Sequence, residues 1–212
     1  MRIVFIDLET TGLPKQLTFD EYYCYTKSKY YDSSRIVQIA IVICDFSTIS
    51  MECKQLATYN YIVKPDGFEI NNSHIHKIDT KLAISNGTSF STIIEKIAPD
   101  LFACDVMIAH NILFDRNIFL SELHRYKFNN LIYKINSMKY FCTSRGCAAV
   151  TKIRYNANKF KQPKLSELYK FLFKKNIIVT HNALDDTNIL VECFIELCKT
   201  KILKYIDGAF TI

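Results

Sequence analysis

The sequence contains 212 residues, of which 49% are hydrophobic and 23% are charged, and its formal net charge at pH 7 is +6. This composition is typical of a globular protein and excludes a disordered chain. No apolar run could cross a bilayer and the first residues lack a signal peptide, so we expect an intracellular protein, cytoplasmic or nuclear, without a membrane partner. The moderate positive charge favours a polyanionic partner.

Apolar runs rich in β-branched and aromatic residues predict strands over residues 2–8, 35–46, 56–63, 105–109 and 139–142. Apolar residues at helical spacing predict helices over 91–104, 111–126, 163–174 and 182–203. Early strands followed by an alternation of helices and strands predict an α/β fold, in which helices flank a mixed sheet.

Two segments interrupt this pattern. Residues 14–34 are rich in tyrosine and are predicted to be a loop inserted into a single domain that spans 1–212. Residues 151–164 are basic, with aromatic side chains interleaved, which favours contact with nucleic-acid phosphates. Lys159 and Lys161 are the candidate contacts there. A solvated loop remains the alternative for both segments.

The eight cysteines form no C-x-x-C pair. Closely spaced pairs are typical of zinc sites, and disulfides are typical of exported proteins. Because neither pattern applies, the sequence predicts reduced thiols that pack as small hydrophobic side chains.

Asp7 and Glu9 come at the end of the first predicted strand, two residues apart. At this spacing the two side chains point to the same face of a strand. Neighbouring carboxylates on such an apolar strand are unfavourable unless a cation compensates them. Gly12 then permits a sharp turn, which leaves the backbone of Thr10 and Thr11 free to face a ligand.

Further acidic residues follow two predicted helix starts, in HNILFD at 110–115 and HNALDD at 181–186. Each stretch alone is explained by helix-dipole compensation or by a solvated helix face. Together with Asp7 and Glu9 they supply four carboxylates, the hard oxygen ligands that a pair of Mg²⁺ or Mn²⁺ ions needs. A histidine beside them is suited to be a general base, because histidine titrates near neutral pH.

In this order, the three stretches resemble the three motifs of the DnaQ-like (DEDDh) 3′–5′ exonuclease family. FIDLETTGL is similar to the first motif, AHNILFD to the second, and HNALDD has the H-x-A-x-x-D form of the third. RIVQIAIV and IHKI are similar to further family segments, so the resemblance covers nearly the whole chain except the 14–34 insertion. It implies a ribonuclease H-like fold with a five-stranded mixed sheet flanked by helices.

The resemblance also implies roles for individual residues. The implied ligands of two Mg²⁺ (or Mn²⁺) ions are Asp7, Glu9, Asp115 and Asp186, with His181 as the general base and Asp185 as a neighbour. The implied substrate contacts are Thr10, Thr11, Leu13, His110 and Asn111. Gln38 stands where many relatives carry Glu, and we expect it either to contact the terminal sugar or to serve in packing.

The implied activity is hydrolysis of single-stranded or frayed DNA 3′ ends to nucleoside 5′-monophosphates, in proofreading or repair. Two alternatives stay open: an exoribonuclease of the oligoribonuclease or RNase T kind, and a non-catalytic nucleic-acid-binding subunit. A DNA polymerase partner and a homodimer are also compatible with the resemblance. The many Lys, Asn and Ile residues fit an AT-rich genome, such as that of a large DNA virus.

Overall fold

The computed structural model describes residues 1–18, 21–156 and 159–212. The strands among them are β1 (Arg2–Thr10), β2 (Gln16–Thr18), β3 (Glu21–Tyr22), β4 (Ile36–Phe46), β5 (Cys53–Ile62), β6 (Val106–Ala109), β7 (Lys139–Cys142), β8 (Arg154–Asn156), β9 (Lys159–Phe160), β10 (Lys204–Ile206) and β11 (Ala209–Thr211). The helices are α1 (Ser73–His76), α2 (Thr80–Asn86), α3 (Phe90–Phe102), α4 (Ile112–Arg125), α5 (Asn129–Ser137), α6 (Thr143–Gly146), α7 (Ala148–Thr151), α8 (Leu165–Phe173) and α9 (Ala183–Lys199), with a 3-10 helix at Ser28–Tyr30.

The central sheet has five strands in the order β5-β4-β1-β6-β7. β1 runs antiparallel to β4 and parallel to β6, while β4 is antiparallel to β5 and β6 is parallel to β7. The predicted α/β fold with a five-stranded mixed sheet is therefore confirmed. β1 lies at the centre, so its carboxyl end is surrounded by neighbouring strands and by the helices that follow them.

The continuous apolar run of β1 is explained by burial on both faces of the sheet. Ile3 and Phe5 pack in the cluster formed with α8 and α9, where Phe5 meets Phe194 at a ring-centroid distance of 5.2 Å. Val4 and Ile6 pack in the cluster formed with α3, α4 and α5. Because odd-numbered residues of β1 face α9, the same alternation directs Asp7 and Glu9 to that side.

The inserted segment is folded against α4. Its two-stranded sheet β2–β3 is followed by the 3-10 helix, and Tyr31 is only 1% exposed. The Tyr31 hydroxyl donates to the Tyr23 carbonyl at 2.5 Å, and the Arg125 guanidinium on α4 pairs with Asp32. A solvated loop is therefore the wrong description of its second half, although the β2 residues are exposed.

Several elements differ from the prediction. Helices α1, α2, α5, α6 and α7 were not predicted. Helix α2, for example, has only seven residues, and its N-cap Asp79 accepts from the Leu82 N–H at 2.7 Å. The last helix ends at Lys199 instead of 203. The strands β10 and β11 follow it, and the ring centroids of Phe210 and Phe194 lie 5.1 Å apart. In the basic segment, β8 and β9 pair antiparallel, and residues 157–158 lie outside the described part.

The burial of most cysteines agrees with the prediction that they pack as small hydrophobic side chains. All eight cysteines are free thiols, and five of them are buried. In the described ranges, no helix combines the length and apolarity that crossing a membrane requires.

Candidate active site

The first part of the candidate site is the carboxyl end of β1. Asp7 pairs across the ladder with Ala40 of β4, and Glu9 pairs with Gln38. The register shifts between Glu9 and Thr10, so the regular part of the ladder ends at the Glu9–Gln38 pair. The small Ala40 side chain leaves room beside Asp7, and the two carboxylates lie on the face that α9 covers.

The second part is Asp115, in the first turn of α4. Asn111 precedes that helix in a left-handed conformation (φ 77°), which turns the chain sharply from β6 into α4. The Leu8 N–H of β1 donates to Asp115 Oδ1 at 3.1 Å. This bond ties the helix start to the strand that carries Asp7, and Asp115 is only 2% exposed.

The third part is the start of α9. His181 is exposed and has a left-handed backbone (φ 53°), a conformation that costs a non-glycine residue about 1 kcal/mol. Asp186 is buried, whereas Asp185 is exposed and accepts from the Thr180 hydroxyl at 3.0 Å. One ligand atom each from Glu9, His181 and Asp186 lie within 4.8 Å of one another. The structure thus brings Asp186, and not Asp185, to the β1 carboxylates.

Burial perturbs the pKa of all four carboxylates, and each also feels the charge of a neighbouring acid. Burial raises the pKa of Asp7 well above its usual range, and the charges of Asp115, Asp186 and Glu9 raise it further. Burial likewise raises the pKa of Asp115, against the hydrogen bond from Leu8. The pKa of Glu9 rises to about 7 through burial and the charge of Asp186. Burial raises the pKa of Asp186 to about 6, although nearby His181 lowers it.

These carboxylates fit a divalent cation better than a protein cation. Among the described residues, none of the ion pairs with Lys or Arg involves Asp7, Glu9, Asp115 or Asp186. Asp186 Oδ1 is buried and has no hydrogen-bond partner within the described ranges. A buried carboxylate oxygen without a donor is costly, and hard oxygen ligands suit Mg²⁺ or Mn²⁺. The residues present therefore fit a metal centre.

The loop that follows Glu9 is held by hydrogen bonds on both sides. The Thr10 hydroxyl donates to the Gly12 carbonyl at 2.7 Å, and the Thr10 carbonyl accepts from Asn72 Nδ2 at 2.8 Å. Thr11 exchanges two 2.9 Å bonds with the Arg35 backbone. Leu13 is 76% exposed beside the site. The geometry leaves this loop ordered and its leucine accessible, and the substrate contacts of Thr10, Thr11 and Leu13 stay predictions.

A buried ion pair supports the same loop. Arg35 Nε lies 2.5 Å from Glu122 Oε1 on α4, and both side chains are at most 10% exposed. The Arg35 guanidinium also lies over the Phe68 ring, 4.5 Å from its centroid. Since α4 carries Asp115 as well, one helix positions both a carboxylate of the site and the loop that faces it.

The second-motif residues His110 and Asn111 differ in their surroundings. Both ring nitrogens of His110 are engaged inside the protein, Nδ1 with the Thr143 hydroxyl at 3.0 Å and Nε2 with the Pro163 carbonyl at 2.8 Å. Burial lowers the pKa of His110 to about 4. Asn111 is exposed at the start of α4. Contact of either residue with substrate stays a prediction, but in this structure His110 connects β6 to the segment that follows β9.

The two predicted lysines also differ. Lys159 is exposed on β9, whereas Lys161 Nζ pairs with Glu167 Oε1 of α8 at 2.6 Å. The Lys161 charge is therefore partly neutralised by Glu167, whereas Lys159 forms none of the salt bridges found among the described residues. Phosphate contact of both residues stays a prediction.

Two residues near the site were not predicted from the sequence. Asn72 bonds the Thr10 carbonyl, and Ser33 Oγ donates to the Leu13 carbonyl at 2.8 Å. Neither had a signal in the sequence, because Asn and Ser are ordinary loop residues and their partners are backbone atoms distant in the chain. Only the folded arrangement identifies them.

Solved structures with the same fold include several nucleases. Zinc-bound ExoI of E. coli in complex with single-stranded DNA matches with a TM-score of 0.63 and 17% identity, over 95% of this chain and 41% of that chain. S. pombe Pop2p in its Mg²⁺- and Mn²⁺-bound form matches with a TM-score of 0.66 and 16% identity, over 98% and 85%. A 3′-exonuclease that recognises the histone mRNA stem-loop matches with a TM-score of 0.56 and 12% identity, over 99% and 89%.

These identities establish the fold alone. The chain spans less than half the length of ExoI. Comparison of the sequence with curated proteins gives no match. Residues 4–194, however, match the family described as RNase_T, exonuclease. Since this match covers far more than half of the chain, the protein belongs to the RNase_T exonuclease family, as the resemblance of its three motifs implied.

Proposed function

We propose that the protein is a metal-dependent 3′–5′ exonuclease that shortens single-stranded or frayed DNA ends and releases nucleoside 5′-monophosphates, in proofreading or repair. The observation that carries the proposal is the convergence of Glu9, His181 and Asp186 within 4.8 Å, beside Asp7 and Asp115. Family membership supplies the reaction class, and the clustered carboxylates with an adjacent histidine supply the chemistry that phosphodiester hydrolysis needs.

Asp7, Glu9, Asp115 and Asp186 would hold two Mg²⁺ or Mn²⁺ ions. Bound there, the ions would activate the attacking water and stabilise the charge that develops on the phosphate. The Asp186 Oδ1 has no hydrogen-bond partner among the described residues, and burial raises the pKa values of Glu9 and Asp186. Both features support this assignment, because buried carboxylates need a compensating cation. The matched Pop2p structure carries Mg²⁺ and Mn²⁺.

Proton transfer and substrate binding are carried out by side chains and the loop beside them. His181, exposed at the site, accepts the proton of the water as its oxygen attacks the terminal phosphorus. The P–O3′ bond breaks, and the leaving O3′ takes a proton from solvent to become the 3′ hydroxyl of the shortened strand. The terminal nucleotide leaves as a 5′-monophosphate. The loop of Thr10, Thr11 and Leu13 binds the terminal nucleotide, and Lys159 contacts the phosphate backbone further along the strand.

The direct test uses a 5′-labelled DNA oligonucleotide with Mg²⁺. Stepwise shortening from the 3′ end, release of 5′-monophosphates and inhibition by EDTA are the expected results. Asp7→Ala should abolish the activity, because a ligand between the other three carboxylates is lost. Full activity of Asp7→Ala would contradict the metal assignment, and release of oligonucleotides instead of mononucleotides would contradict the exonuclease assignment.

Exoribonuclease activity is the second candidate. It is favoured by the similarity to the 3′-exonuclease of the histone mRNA stem-loop, which extends over 99% of this chain. Parallel digestion of DNA and RNA oligonucleotides of one sequence decides between them through the ratio of kcat/KM. A higher value for RNA would replace the DNA assignment. Binding of both without turnover in Mg²⁺ and Mn²⁺ would instead support the non-catalytic subunit.

The assembly is a separate question. A homodimer and a DNA polymerase partner stay predictions. Light scattering coupled to size exclusion tests the homodimer, since a dimer would have twice the mass of 24.7 kDa. Co-purification with a polymerase in stoichiometric amount would support the second prediction.

A further inference from the structure

Gln38 occupies a central position beside the site. It lies on β4 directly opposite Glu9 in the antiparallel ladder and is 2% exposed. Residues that oppose each other in such a ladder direct their side chains to the same face. The Gln38 amide therefore points toward α9, on the face that carries Glu9, and a buried amide needs partners for both its donor and its acceptor.

The amide finds partners on two different elements. Its Nε2 donates to Asn60 Oδ1 of β5 at 2.9 Å and faces Asn182 Oδ1 at 3.5 Å. Its Oε1 accepts from the Ala183 N–H at 3.1 Å. Ala183 is the first residue of α9, so this N–H has no acceptor within the helix. Gln38 thus binds the helix from the sheet and is itself oriented by the neighbouring strand.

Together Gln38 and Asn182 satisfy the whole first turn of α9. Asn182 Oδ1 accepts from the Leu184 N–H at 3.1 Å and from the Asp185 N–H at 3.4 Å. The next N–H, that of Asp186, bonds the Asn182 carbonyl at 3.0 Å as an ordinary helical bond. Gln38 is therefore the part of this cap that connects it to the strand pair β1–β4.

The capped turn is flanked by the functional side chains. His181 precedes the cap residue Asn182, and Asp186 lies one turn into the helix. The position of this turn relative to β1 sets the distance of both side chains from Glu9. Since Oε1 of Gln38 contacts the turn and the Gln38 backbone pairs with Glu9, the glutamine fixes that distance directly.

We infer that Gln38 is a positioning residue, whose side-chain carbonyl fixes the start of α9, and with it His181 and Asp186, against Glu9. The inference rests on the proposed function of His181 and deepens it. Packing alone would not require an acceptor.

The test compares Gln38→Met, which keeps the length but removes the acceptor, with Gln38→Glu, which restores it. We expect Gln38→Met to lower kcat at least tenfold with KM changed less than twofold, because the substrate loop is untouched. Gln38→Glu should recover kcat to within about threefold of the wild type. Hydrogen exchange of the Ala183 amide should be faster in Gln38→Met and close to wild type in Gln38→Glu.

Val42→Ala is the matched control, since Val42 lies on the same strand and face, is 0% exposed and belongs to the core that includes α9. It should lower the melting temperature and leave kcat unchanged. Wild-type kcat in Gln38→Met, or equal losses in Gln38→Met and Gln38→Glu, would overturn the inference. An inactive wild type would instead refute the proposed function, and the Ala183 exchange rates would still test the cap.

Discussion

Glu9 offers a quantitative test of the proposed metal centre in the metal-free protein. Its pKa rises from an ordinary 4.5 to about 7 in the folded state, because the side chain is 9% exposed and lies near Asp186. A carboxyl with a raised pKa holds its proton more tightly when folded. The native state therefore binds more protons than the unfolded state between these two pH values, and stability falls as the pH rises through this window.

The resulting loss in the free energy of unfolding is calculated from the two pKa values of Glu9. It is about 1 kcal/mol at pH 5 and about 3 kcal/mol at pH 7.5, by proton linkage. In a protein of 212 residues, 3 kcal/mol corresponds to a change in melting temperature of about 6–12 °C. Glu9→Gln removes the ionisable group and should raise the melting temperature by that amount at pH 7.5 in EDTA, with a much smaller gain at pH 5.

The assay is thermal unfolding of wild type, Glu9→Gln and Asp185→Asn at both pH values, with EDTA or with saturating Mn²⁺. Asp185 is the matched control because it is an exposed carboxylate next to the site. Mn²⁺ should stabilise the wild type at pH 7.5 and stabilise Glu9→Gln much less, since a ligand is missing. The reasoning would be refuted if Glu9→Gln raised the melting temperature equally at the two pH values. It would also be refuted if Mn²⁺ did not stabilise the wild type.

Three further outcomes are expected. In the oligonucleotide assay, Asp186→Asn should lower kcat by at least a hundredfold and Asp185→Asn by less than threefold. A larger loss for Asp185→Asn than for Asp186→Asn would mean that Asp185 is the metal ligand. Lys159→Ala should weaken DNA binding and, in a salt titration, reduce the slope of log Kd against log salt concentration by about 1. Lys161→Ala should have a smaller effect on both, because Lys161 already pairs with Glu167. Glu122→Gln should cost about 3 kcal/mol in urea unfolding, because the buried Arg35 loses its counter-charge; a change below 1 kcal/mol would show that this pair is solvated.

The sequence was sufficient for the central elements because their signals are local. The apolar run before Asp7 predicted β1, and the spacing of apolar residues predicted α4 and α9. The order of the three acidic stretches indicated the family. These features depend on periodicity along the chain and on short motifs, which survive without knowledge of long-range contacts.

The folded second half of the insertion could not be read in the same way. Tyr31 is buried because residues of α4, such as Arg125, contact this segment from about a hundred positions away in the chain. A tyrosine-rich stretch by itself is compatible with a solvated loop and with a packed segment. Burial of this kind depends on which surface the chain meets, which only the tertiary structure decides.

For the candidate site as well, the sequence and the tertiary structure contributed different information. By itself, the sequence predicted which side chains carry the proposed chemistry, since Asp7, Glu9 and His181 are recognisable from their motifs. Tertiary structure decided how they are held: the alignment of Gln38 with Glu9 and its bond to Ala183 join a strand to a helix 145 residues away. Register and helix docking are set by packing of the whole core, so no local pattern around Gln38 could reveal them.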